Sequence, residues 1–454
     1  MRKSIYPLEF KLFFSGSSAW IGIAVLLITG IAGLYFGKTF IDNQKTVIER
    51  AAQLQEKNTQ NNIHHFGKDI GLVFYHNKFS TAHVPDNWAA FSNGQRDINP
   101  YVISVTMLAL EGQLYDTEIS NPVSMLLGNM DLSFVFIFIF PLVIIAFTYN
   151  LISEQRENGV WSLLKSQTNQ LFKVMMQKLA VRMITVFGVM LLLMLIALIY
   201  LPLPVNLTLF NVLAVIILYL AFWFAASFLL ISLGKSSSYN ASALVALWVA
   251  MCIVIPAVLN LVLSQQFPVP EALQNVMNQR EGYHEKWDMP KAVTMKPFFE
   301  HYPQLKKYPF PGDLAFSWFW YYGMQQMGDD HAAKSKKSMQ KKLASRQYFS
   351  NLAANIFPAV QAQLSLNELA GSDLNSHLKF QQAVRTYHEQ IRLRFYPSIF
   401  QNHDISTTKL QQVKLKEYQV EKMYSWNRLL SLLFLILILI AIGLRQFKSL
   451  SLLK

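Results

Sequence analysis

Apolar positions along this chain are gathered into blocks, not spread at the period of a water-soluble amphipathic fold. Six blocks, at 20–36, 134–152, 183–201, 209–233, 241–263 and 429–444, are long enough to cross a bilayer once their flanks are counted. Pro141 interrupts the second and Pro256 the fifth, and each should bend its helix where a backbone N–H is lost. Ahead of the first block, Arg2, Lys3 and Lys11 alternate with Ile5, Leu8, Leu12 and Phe13, which suits a short helix lying among lipid headgroups.

Two long polar insertions separate the blocks. In the first, 39–67 reads as a helix carrying Phe40, Val47, Ala51 and Leu54 on one side. Tyr101, Ile103 and Val105 then alternate ahead of a Glu111-Gly112 turn, a pattern that predicts a small strand pair. The second insertion predicts mainly helix. Its aromatic and proline clusters over 302–320 suggest irregular packing beside the membrane, and 329–357 forms a helical pattern with Lys334, Lys336, Lys337, Lys341, Lys342 and Arg346. Ser372 or Asp373 can cap a further helix running to about Phe395. Leu410, Val413, Glu417, Val420 and Tyr424 follow a 3-4-3-4 spacing into the sixth block, so a continuous rod over 407–445 is expected.

Apolar residues make up 52% of the chain, and their grouping makes it an integral membrane protein. A net charge of +13 would suggest nucleic acid in a soluble protein, but here its placement matters more than its sum. The short segments sharing a side with the termini hold twelve Lys and Arg against three acids. By the positive-inside rule these face the cytoplasm. The expected class is therefore a mainly α integral membrane protein with six transmembrane helices and both termini cytoplasmic. Its two extracytoplasmic insertions are expected to be mixed α/β and mainly helical, respectively.

In chain order, that gives a cytoplasmic interfacial helix (1–17), transmembrane 1 (18–37), extracytoplasmic domain 1 (38–131) and transmembrane 2 (132–152). A cytoplasmic coupling helix and linker (153–180) and transmembranes 3–5 (181–263) follow. Extracytoplasmic domain 2 (264–425), transmembrane 6 (426–445) and a cytoplasmic tail (446–454) complete it. The single cysteine, Cys252, can form no internal disulfide, so the polar parts must hold themselves up by packing.

Little in the chain points to catalysis. Gly33-Leu34-Tyr35-Phe36-Gly37-Lys38-Thr39 has three residues between its glycines where a phosphate loop has four, and it follows a span instead of a strand. Ser162-Leu163-Leu164-Lys165 lacks the companion motifs of a Ser-x-x-Lys nucleophile and reads as helix surface. All ten histidines fall in the polar insertions without zinc-like spacing, and no metal or bound cofactor is expected. The block interiors carry no Asp, Glu, Lys, Arg or His, which argues against an ion-driven carrier. Any work done by the spans must draw its energy from elsewhere. The entry point is the stretch 153–167, where Glu154, Arg156 and Glu157 precede Gly159, and Trp161, Leu163 and Leu164 follow at helical spacing. Such an element can seat apolar side chains in a partner while its charges hold the register.

Glu154-Gln155-Arg156-Glu157-Asn158-Gly159, placed after the second of six spans, resembles the Glu-x-x-x-Gly-Thr coupling segment of ABC-2 type exporter permeases. Asn121-Pro122, the run Leu126 to Leu132, the run Pro141 to Leu151, and the stretch Leu366 to Tyr387 are similar to a subgroup with large extracytoplasmic insertions, distantly like the permeases of nitrous-oxide-reductase maturation. Val160 stands where that family usually has threonine, and Thr168 where a proline often ends the segment.

The resemblance implies a non-catalytic permease subunit in a bacterial inner membrane. Its partners would be a second permease, of the same or a similar chain, and a cytoplasmic ATP-binding cassette ATPase dimer that alone binds ATP. Membrane lipid would surround it, and a periplasmic or outer-membrane protein could engage the insertions; no nucleic acid is implied. Glu154, Arg156, Glu157, Gly159, Trp161 and Leu164 would lie in or beside the element docked on the ATPase, which drives export of a substrate or outward mechanical work. The alternative is a membrane-anchored scaffold organising an extracytoplasmic assembly.

Overall fold

A computed structural model describes residues 6–115, 130–167, 171–420 and 426–452. Six helical segments are long and apolar enough to cross a membrane: Ser17–Phe66, Leu132–Glu157, Leu171–Tyr200, Leu207–Ser232, Ser237–His284 and Asn427–Ser449. Helix α1 (Tyr6–Ser15) precedes them, and α2 (Ser17–Phe66) runs through the first apolar block and on into the polar insertion without a break. The predicted polar helix over 39–67 is therefore the continuation of the first span. α9 (Leu171–Tyr200) and α10 (Leu207–Ser232) supply the third and fourth spans, and α18 (Asn427–Leu452) the sixth.

Burial separates the spans into centre and rim. The second and fourth are 67% buried over their apolar windows while the fifth is only 11% buried, so the fourth forms the hub and the fifth lies at the edge. Tyr219, Leu220 and Trp223 of α10 are enclosed with Phe136, Ile144, Leu193 and Leu432 in one apolar core. Dispersion and close packing hold that core together, since lipid is as apolar as leucine.

Both proline bends take a specific form. The second span consists of α5 (Leu132–Phe134), a π-helical turn (Val135–Ile139) and α6 (Phe140–Thr148). The fifth consists of α11 (Ser237–Val249), a π turn (Ala250–Val254) and α12 (Ile255–Gln266). Pro141 and Pro256 each sit just after their π turn, where an extra residue relieves the clash between the proline ring and the preceding turn. Carbonyls that would otherwise lack a partner are met from neighbouring spans. The Tyr219 hydroxyl donates to the Ile137 oxygen at 2.8 Å, and the Trp248 indole donates to the Phe138 oxygen at 3.1 Å.

The two insertions form one polar domain. From the first come α3 (Ile70–His76), β1 (Phe79–His83), β2 (Val102–Val105) and α4 (Leu110–Leu114). The second gives α13 (Glu271–His284), α14 (Lys291–His301), α15 (Trp318–Ala354), α16 (Pro358–Ala370), α17 (Leu374–Phe400) and β3 (Lys416–Tyr418). The sheet order is β2-β1-β3, with β1 antiparallel to β2 and parallel to β3. Chain segments from opposite ends of the sequence thus share one sheet. A second core joins Phe74 and Phe79 to Phe298, Tyr322, Phe395 and Tyr396. Asp373 caps α17, as expected, by accepting from the Asn375 and Ser376 amides.

Three expectations need correction. The alternating strand exists, but its partner is β1, with Phe79 opposite Val105, and Glu111-Gly112 lies in α4 instead of a hairpin turn. The rod over 407–445 does not form. Lys409 adopts a left-handed conformation, Leu410 and Val413 turn into the second core, and 416–418 pair as a strand, so a helical spacing there served burial of another kind. α15 also begins at Trp318, well before the charged pattern that announced it, because Ser317 caps it and its aromatic first turns are buried. The stretch 121–129, used above for resemblance, lies outside the described residues.

Candidate functional site

The second span ends in a tight bend. Tyr149 to Ile152 leave the membrane-capable helix, α7 (Ser153–Glu157) makes one turn, and α8 (Val160–Gln167) departs in a new direction. Gly159 makes the change possible: its φ of +74° is a conformation an L side chain rarely adopts, and the Asn158 and Gly159 amides close α7 on the Glu154 and Arg156 carbonyls.

The bend is fastened to the loop between the fourth and fifth spans. Glu157 accepts from the Ser237 amide at 2.7 Å and from the Ser237 hydroxyl at 2.8 Å. Its carboxylate therefore sits at the N-terminus of α11, where free amides and the helix dipole both favour negative charge. Ser236 adds its own cap by accepting from the Tyr239 amide at 3.3 Å. Ser153 and Ser237 share a hydrogen bond between their hydroxyls at 2.8 Å, and Arg156 donates to the Gly234 carbonyl. The Asn240 amide donates to the Tyr149 carbonyl at 3.1 Å, which completes the clasp.

The expected coupling residues have distinct placements. Glu154 is held within the bend, accepting from Asn150 at 2.7 Å. Arg156 and Glu157 face the neighbouring loop. Trp161, expected in or beside the docking element, is partly buried and packs against the apolar core of the spans. Among the described side chains of α8, Val160 and Leu163 are the apolar ones left exposed. Leu164 belongs to the same helix, and its side chain lies outside the described residues. Sequence reasoning missed Gly234, Ser236 and Ser237, although a glycine followed by serines just ahead of an apolar block is a legible stop-and-cap signal.

Other elements gather at the same end of the bundle. Glu9 of α1 lies 3.7 Å from Lys178 of α9. Arg182 donates to the Phe147 carbonyl at 3.1 Å and lies over the Phe13 ring at 5.1 Å. The arrangement can transmit displacement between the bend, α1 and the third and fifth spans. It offers carboxylates and two guanidiniums, those of Arg156 and Arg182, already engaged with protein groups, and among the described residues no built nucleophile. Among the described residues, no three His, Cys, Asp or Glu side chains come together as a metal site. Residues 33–39 are helical within α2, so that glycine-rich stretch forms no phosphate loop.

A family model described as a domain of unknown function, DUF3526, matches residues 273–419. The match runs from α13 to β3, well under half of the chain; it takes in neither the bend nor the first four spans and reaches only the polar end of the fifth segment, Ser237–His284. No curated protein and no solved structure matches the chain.

Proposed function

We propose that this chain is the transmembrane permease subunit of an ATP-binding cassette exporter, coupling ATP hydrolysis by a separate cytoplasmic ATPase to export or to outward mechanical work. The observation that carries the proposal is the clasp of Glu157 on the first turn of α11, beside exposed Val160 and Leu163. A partner seated on those apolar side chains would move α7 and α8, and through Glu157 and Arg156 it would pull the start of the fifth span. The span interiors supply no ionisable relay of their own, so the energy must enter through such a contact. In this proposal both termini and the bend are cytoplasmic, the membrane is a bacterial inner membrane, and a second permease of the same or a similar chain completes the complex.

Two variants test it in membranes that contain the partner ATPase. Gly159→Pro forbids the positive φ, and Glu157→Arg puts a cation against the N-terminus of α11. Each should insert normally and lose substrate-stimulated ATP hydrolysis; unchanged stimulation in both would overturn the proposal. The size of the ion-paired polar domain favours a second reading, a scaffold for an extracytoplasmic assembly. Affinity isolation from native membranes separates the two, since a scaffold should bring down no nucleotide-binding subunit.

A further inference from the structure

We infer that the cleft between α15 and α17 is a binding site for a small zwitterion, one whose anionic group and ammonium are separated by several bonds. The cleft has a volume of about 270 Å³ and is lined almost wholly by polar and charged side chains, with α4 and α14 closing its ends. A cavity of that size bounded by ions has room and partners for water or a polar ligand, unlike the close-packed cores on either side.

Its charges are sorted by position. At one end Arg385 holds Glu111 through two hydrogen bonds of 3.0 and 3.2 Å, and the Lys336 ammonium also reaches Glu111 at 3.3 Å. Two cations share one carboxylate there. Between the ends, Asp329 accepts from the Leu110 and Glu111 amides at 2.7 and 3.2 Å and pairs with Arg392 at 3.0 Å, and at the other end Arg392 spends further donors on the Met107 and Leu108 carbonyls. Asp330 and Glu389 line that end as well. Among the described residues, Asp330 is met by His301 at 3.0 Å and by Gln326, and Glu389 by the Tyr302 hydroxyl at 2.7 Å. The first end therefore carries a surplus of positive charge and the second a surplus of negative charge.

The spacing fits a particular length. Lys336 and Asp330 lie six residues apart on α15, a rise of about 9 Å. A fully extended tripeptide spans about 10 Å between its termini. Lys336 and Asp330 are both partly exposed, with side-chain accessibilities of 29% and 37%, so each can meet a ligand without leaving the fold. A ligand carboxylate would meet Lys336 and its ammonium would meet Asp330 and Glu389. The site rests on the polar domain alone and stands whether or not the chain works with an ATPase.

The test is calorimetric titration of the full-length purified protein with triglycine, N-acetyl-triglycine and triglycine amide at neutral pH. Triglycine should bind, and either blocked form should bind about tenfold more weakly, because each leaves one surplus charge unanswered. Asp330→Asn should shrink the penalty for blocking the amine, Glu389 holding the remainder, and keep the penalty for blocking the carboxylate; Lys336→Gln should do the reverse, and Lys336→Arg should restore the parent pattern. Melting curves without ligand identify any variant that fails to fold, and the other position then carries the comparison. Equal binding of all three peptides, or no binding of triglycine at millimolar concentration, would overturn the inference and leave the cleft as an ion-paired seam between insertions.

Discussion

Gly159 has open space where a Cβ would stand, so the objection to any other residue there is torsional, not steric. Alanine should cost the bend about 1–2 kcal/mol, while asparagine should cost less because it tolerates the left-handed region. Faster amide hydrogen exchange across 153–159 in the alanine variant than in the asparagine variant would check this. Gly37 presents the opposite case, since a Cβ there would strike the Ala90 carbonyl of the polar domain. Buried histidines give the polar domain a pH limit. Burial and the adjacent Arg96 guanidinium push His83 down to about 3, and burial first, then Arg96, pushes His377 down to about 4. The unfolded chain takes up these protons near pH 6.5 and the folded one does not, so stability falls as pH falls below that value. Each histidine removes about 1.4 kcal/mol per pH unit until its folded pKa is reached. The melting temperature should accordingly drop between pH 7 and 5, and His83→Gln with His377→Gln should make the drop shallower, the remainder coming from His388, which burial first and Arg392 next hold well below its ordinary value.

At the scale of elements, the sequence spoke clearly wherever the signal was local. Apolar blocks marked the spans, Asp373 marked the start of α17, and alternation at Ile103 and Val105 marked β2. Contacts between distant segments were silent: Glu157 and Ser237 are eighty positions apart, and nothing in either neighbourhood names the other. The same holds for β3, whose pairing with Thr81 to His83 is decided by a sheet edge 335 residues upstream in the chain. The π turns were readable only as proline bends, because the residue count of a turn leaves no compositional mark. The clasp itself yields an element-scale prediction. Ser153 and Ser237 have hydroxyls 2.8 Å apart, so Ser153→Cys with Ser237→Cys should form a disulfide readily under mild oxidation. On the proposed function, the cross-linked protein should lose stimulated ATP hydrolysis and recover it on reduction. A gel shift that does not appear would show that the two loops do not meet.

For the whole molecule, α2 matters most, since it belongs to both halves. Its Gln55 side chain donates to the Val413 carbonyl at 3.0 Å and accepts from the Ser80 amide at 2.6 Å, and Gln44 donates to the Arg96 carbonyl at 3.2 Å. One face of the helix is thus bonded to both insertions. Thr46→Pro, on the exposed side ten residues beyond the apolar block, should break the helix at a cost of about 3 kcal/mol while leaving the spans able to insert. The expected readout is two separate melting transitions where the parent shows one. An unbroken α2 also sets a gearing for the molecule. The stretch from Gly37 to Phe66 is about 44 Å long, so rocking the helix about Gly37 by some ten degrees would sweep its tip through roughly 7 to 8 Å. A slight lean of one column within the lipid would thereby become, at the far end, a stroke as long as a small molecule.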